Sequence, residues 1–116
     1  MDSPAAFAQR RLKARLKLLK ANFAVLMKGE EIEELKIKFA KDKLKLLACK
    51  RGLGAEGLEG LEKELHAELT ALETKLAAMK KEEEIQKIPI ENVKLELKVL
   101  KRALAEEDLE NCPPTE

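Results

Sequence analysis

The sequence predicts an all-α protein, either a long antiparallel helical hairpin of coiled-coil type or an elongated three- or four-helix bundle. Three observations predict it. Leu, Lys, Glu and Ala dominate the 116 residues, with three Phe and neither Trp nor Tyr. That is the profile of long helices, and it lacks the aromatic and β-branched side chains a sheet packs with. Apolar residues recur at alternating spacings of three and four, the period of a helical seam. Four glycines, Gly52, Gly54, Gly57 and Gly60, then fall within nine residues near the middle of the chain, where a helix must stop and turn.

The first helix opens at Ser3-Pro4, with Ser as N-cap and Pro in the first turn. Leu12, Leu16, Leu19, Phe23 and Leu26 form its stripe at spacings of 4, 3, 4 and 3. The frame meets Glu30 and Glu33 and resumes at Ile37, Ala40, Leu44 and Leu47. Leu16-Lys17-Leu18-Leu19 returns as Leu44-Lys45-Leu46-Leu47, 28 residues on, which is coiled-coil phasing and not a duplicated domain. Gly29 leaves two readings open. It ends one helix before Glu-rich residues that suit the start of another, or the helix continues through a polar waist.

Residues 4–51 thus form a basic arm and 52–60 a glycine-rich turn. Residues 61–110 form an acidic arm and 111–116 a tail, all within a single helical domain. The second stripe is Leu58, Leu61, Leu65, Leu69, Leu72, Leu76 and Met79. It passes Glu83 and Gln86 and continues through Ile90, Val93, Leu97, Leu100 and Leu104. Pro89 either kinks this helix or begins a third, because the residue before a proline is pushed out of the helical region. Asn111-Cys112-Pro113-Pro114 ends it. As a hairpin turning near residue 56, each arm would run roughly 70 Å at ~1.5 Å per residue.

Net charge is +1 but unevenly spread: residues 1–51 carry 14 basic and 6 acidic groups, residues 52–116 carry 9 and 16. The expectation is that the two halves pair with each other. The alternative is that the basic half meets a polyanion. On the first helix Arg10, Lys13, Lys17 and Lys20 form a basic stripe, widened by Arg11 and Arg15 and placed roughly opposite the seam. It could follow phosphates without reading bases, or lie on anionic lipid. No aromatic residue interleaves it for base stacking.

Catalytic and ligand chemistry is poorly represented, and no enzyme activity, cofactor, metal or small-molecule substrate is expected. Gly52-Leu53-Gly54-Ala55-Glu56-Gly57 matches G-x-G-x-x-G literally, but it follows a lysine-rich helix, and Glu56 would repel phosphate. His66 is the single histidine and Ser3 the single serine, so neither a metal set nor a Ser-His-acid triad assembles. Cys49 and Cys112 make no disulfide framework and read as free thiols of an intracellular protein. The clusters Glu30, Glu31, Glu33, Glu34 and Glu82, Glu83, Glu84 could hold a cation or share a proton. With Lys28, Lys80 and Lys81 beside them, they are expected to be a solvated waist.

No stretch approaches the ~20 apolar residues of a membrane span, and no secretory signal is present. The opening segment is Arg- and Lys-rich and acid-poor, as transit peptides are. Few labile amides beside many Lys and Glu suit a thermophilic source. A soluble, cytoplasmic protein is expected, or one packaged in a virion.

Long basic and acidic helices around a glycine-rich turn resemble coiled-coil hairpins and the small helical proteins with which viruses coat nucleic acid. No motif assigns residues to either. Function is expected to be assembly, with nucleic-acid coating as the alternative. The interaction seam would be Leu12, Leu16, Leu19, Phe23, Leu26, Leu65, Leu69, Leu72, Leu76, Leu97, Leu100 and Leu104, and the partner a second copy or another helical protein. Leu18, Leu46, Leu53, Leu95 and Val99 lie off the stripes and ask for a further contact.

Overall fold

The computed structural model describes residues 3–111 and contains two helices, α1 (Pro4–Gly52) and α2 (Glu59–Asn111), joined as an antiparallel helical hairpin. Cys112 and the tail that follows it lie outside the described residues.

Ser3 caps α1 as its sequence position predicts. Its hydroxyl accepts the Ala6 N–H at 3.1 Å and its carbonyl the Phe7 N–H at 3.0 Å. Pro4 takes the first helical position, where a missing N–H costs nothing.

Gly29 does not break α1, and Pro89 does not break α2. The bundle of three or four helices is thereby set aside. At position 29 the absent Cβ is used for packing, since one built there would lie 2.7 Å from the Met79 methyl across the seam. At position 89 the proline removes the N–H that would bond the Ile85 carbonyl. Ile90 and Val93, immediately beyond, are among the most buried side chains of α2, and that packing carries the helix through.

The turn is built by Gly54 and Gly57, both at positive φ (91° and 75°). Ala55 N–H bonds the Lys50 carbonyl and Gly54 N–H the Arg51 carbonyl, each at 3.0 Å. This pair is the Schellman arrangement, which satisfies the last carbonyls of α1 and requires a left-handed residue at Gly54. The literal G-x-G-x-x-G is thus a helix stop. No strand precedes it among the described residues.

The chain divides into two compact units. One pairs residues up to Ala24 with those from Glu84, and the other is Val25–Glu83. In each, inward positions follow one heptad phase. In the second unit the inner face of α1 buries Glu30, Glu33, Ile37, Ala40 and Leu47. In the first, Ile90 and Val93 are buried, Val93 to 2% exposure. The predicted seam residues Leu12, Leu16, Leu19, Phe23, Leu65, Leu69, Leu72, Leu76, Leu97, Leu100 and Leu104 are all half-buried on inner faces, as is Leu26. Leu61, counted in the second stripe, is instead turned outward, and Glu62 takes the inner position and pairs with Arg51.

The two kinds of glycine predict stability changes of opposite sign. Gly54→Ala forces a side chain into the left-handed region and should lower unfolding free energy by about 1 kcal/mol. Gly60→Ala, within α2 and facing open space, should raise it by a few tenths. Urea denaturation followed by circular dichroism measures both.

Candidate functional site

Three surfaces follow from the heptad phase. The first is the polar layer inside the seam of the Val25–Glu83 unit. Glu30 and Glu33 fall on inner positions and are 4% and 3% exposed, so the waist expected to be solvated is buried at these two residues. Glu33 Oε1 accepts Lys75 Nζ from α2 at 3.0 Å and Lys36 Nζ from its own helix at 3.4 Å. The Lys75 hydrogen bond, aided by Lys36, holds the Glu33 carboxyl below its usual pKa against the opposing effect of burial.

Glu30 behaves in the opposite way. Burial pushes its pKa up, and its hydrogen bond to the Glu83 carboxyl and the Glu83 charge push it further; Glu34 adds to this, while Lys80 opposes it. Two carboxyls can share a hydrogen bond only if one carries a proton. Glu30 Oε1 and Glu33 Oε2 are buried without a hydrogen-bond partner. Among the described residues no group of three or more His, Cys, Asp or Glu is placed to hold a metal ion. His66 lies exposed on α2, its carbonyl accepting the Thr70 hydroxyl.

The second surface is a basic groove in the unit containing the chain's two ends. Gln9 and Lys13 of α1 and Lys94, Leu97, Lys98 and Lys101 of α2 line it, and Arg102 continues it along α2. The predicted polyanion residues Arg10, Arg11, Lys13, Arg15, Lys17 and Lys20 are all exposed, but they do not share one surface. Lys13 joins the α2 lysines, whereas Arg11 and Arg15 line a separate groove with Ala8, Leu12 and Glu96. Of Arg10, Lys13, Lys17 and Lys20, Lys13 stands beside the seam in the lysine groove, and Phe7 and Leu18 are exposed apolar residues on the outer side of α1 there.

That apolar outer face is the third surface. Leu18, Val25, Ile32, Phe39 and Leu46 recur every seven residues along α1, with Leu35 between them and Leu53 in the turn just past its end, and every one is more than half exposed. On α2 the matching outer positions hold Ile85, Ile88, Leu95 and Val99, all more than half exposed. Sequence reading singled out Leu18, Leu46, Leu53, Leu95 and Val99 but missed Val25, Ile32, Leu35, Phe39, Ile85 and Ile88. A second heptad count, two and five places after the seam positions, would have found them.

Ion pairs cross from α1 to α2 at Glu33–Lys75 and Arg51–Glu62; Lys28–Glu31, Lys87–Glu84 and Lys94–Glu91 are local i,i+3 pairs. In the first of the crossing pairs the acid comes from the basic arm. No helix among the described residues is long and apolar enough to cross a membrane.

Comparison with protein-family models, with curated proteins and with solved structures gave no match.

The polar layer predicts a pH response. Glu30, raised, contributes stability that is full below the ordinary carboxylate pKa and is lost as pH rises through its own. Glu33, depressed, contributes above the ordinary value and loses its contribution as pH falls through its own. Glu30→Gln keeps a donor toward Glu83 without the buried charge. It should raise the melting temperature at pH 7 and flatten the decline above pH ~4.5. Melting curves of wild type and variant between pH 4 and 8 check it.

Proposed function

We propose that this chain is a non-catalytic helical scaffold that assembles through apolar helix faces, its partner being a second copy of itself. The observation that carries the reading is the outer face of α1. Within the Val25–Glu83 unit, Val25, Ile32, Phe39 and Leu46 stand at strict heptad spacing on α1 and remain more than half exposed after the hairpin has formed. A soluble monomer rarely exposes a contiguous apolar patch beyond a few hundred Å². A heptad stripe is also the repeat that a partner helix packs against. Sedimentation or light scattering should give a mass above the 13.1 kDa of one chain at micromolar concentration. A mass of one chain throughout that range would end the reading.

A second reading rests on the basic groove. Lys13 from α1 and Lys94, Lys98 and Lys101 from α2 line one trough, so the two helices set like charges on a shared edge. Such an edge suits a polyanion, and it binds by charge with no base to read. Changing the four lysines to Gln should reduce the magnitude of the log–log salt slope for duplex DNA by about 0.9 for each phosphate no longer neutralised. No wild-type binding to duplex or single strands at low salt would remove this reading and leave the assembly reading standing.

A further inference from the structure

We infer that two copies pair through the outer face of α1 in antiparallel register, about a two-fold axis at Leu35, with Lys28 of each copy set against Asp42 of the other. The inference rests on the assembly reading and specifies its geometry. Every residue it uses lies within the Val25–Glu83 unit.

The outer face of α1 in that unit is apolar at Val25, Ile32, Leu35, Phe39 and Leu46. Two charged residues interrupt it. Lys28 stands seven residues before Leu35 and Asp42 seven after, so the three share one heptad position. Both charged residues are exposed. Lys28 reaches only Glu31 of its own helix, at 3.6 Å, and such an exposed local pair holds little. Among the described residues Asp42 has no ion-pair partner. A covering face that buries this stripe has to bring an acid to Lys28 and a base to Asp42.

A second copy in antiparallel register brings both. With the axis at Leu35, residue 28 of one copy lies level with 42 of the other, and Glu31 falls within one residue of Lys38. The signs along the face run Lys28, Glu31, Lys38, Asp42, so reversal sets unlike charges together, each pair occurring twice. Ile32 comes beside Phe39, and Val25 beside Leu46. The remaining lysines follow the same rule. Lys36, Lys38, Lys41, Lys43 and Lys45 fall level with Glu34, Ile32, Gly29, Met27 and Val25. Between residues 25 and 45 no lysine meets a lysine and no acid meets an acid. Parallel, in-register pairing does the reverse and sets every lysine on its own copy. Like charges beside an apolar helical seam reject a partner. The antiparallel contact uses the same patch on both chains and closes at two copies.

The test uses three variants of the full chain: Lys28→Asp, Asp42→Lys, and the two together. The positions are exposed, and circular dichroism confirms that helicity is kept. Sedimentation velocity should show wild type reaching twice the chain mass. Each single variant turns two attractive contacts into two repulsive ones and should raise the dimer dissociation constant by about tenfold. The double variant restores both pairs with their signs exchanged and should return to the wild-type constant. An equimolar mixture of the single variants should dimerise more tightly than either alone, because one copy then carries two acids and the other two lysines. The single variants shift net charge in opposite directions, so an effect of overall charge would weaken one and strengthen the other.

Lys28→Asp that dimerises as well as wild type, or better, would overturn the antiparallel geometry while leaving assembly intact. A helical double variant that stays dissociated would overturn the Lys28–Asp42 pairing in the same way. Wild type at one chain mass throughout would overturn the assembly reading and this inference with it. If that monomer cosediments with phosphatidylserine vesicles, the stripe belongs to an anionic membrane instead.

Discussion

One heptad phase governs this molecule. Once Leu16, Phe23, Ile37 and Leu44 are turned toward α2, every other residue of α1 has its direction assigned by the arithmetic of a seven-residue repeat, about 3.5 residues per turn. Residues two places beyond them are turned out of the seam, and those are Leu18, Val25, Phe39 and Leu46; Leu46 also lines a groove beside Leu47, Leu61 and Leu65. The flanks receive the lysines. The same holds for α2 counted from Leu76, Ile90 and Leu97. The seam thus does more than bury leucine. It decides which apolar residues have no place inside the hairpin.

The polar layer is the exception that the phase forces on the interior. Glu30 and Glu33 occupy inner positions where the neighbouring turns place Phe23, Leu26, Ile37 and Ala40. Two solutions coexist within one turn of helix. Glu33 remains charged against Lys75 and Lys36, and Glu30 shares a hydrogen bond with Glu83 that calls for a proton. A slip of one heptad between the helices would take Lys75 away from Glu33 and leave its buried charge with Lys36 alone, a cost that apolar layers do not impose. Uniform leucine seams tolerate such slips; a charged layer resists them.

Much of this was legible in the sequence. Ser3 as a cap, the glycine cluster as the turn and the inner stripes follow from local chemistry and spacing. Gly29 and Pro89 were not decidable there, because local preference and heptad frame disagree at both. Packing resolves them, through Met79 over Gly29 and through Ile90 and Val93 just past the proline. Glu30 and Glu33 read as solvated because a run of acids usually is, although their phase already placed them inside. Lys94, Lys98 and Lys101 were hidden by the acidic total of their half, since a sum over residues erases the position of each. Ile85, Ile88, Val25, Ile32, Leu35 and Phe39 escaped because the apolar count stopped after one stripe per helix.

The lysine groove opens along the seam of the hairpin, beside Lys13 and Leu97, and its Lys98 also borders the outward stripe of α2 beside Leu95 and Val99. Contacts confined to the outward stripe of α1 would leave it uncovered. Two copies joined by those faces would each present the same cationic trough. A phosphate chain crossing both troughs would meet weak sites held at high effective concentration, and valency would supply an affinity that no single trough has. Assembly and polyanion binding would then be successive steps of one behaviour, with the first setting the strength of the second.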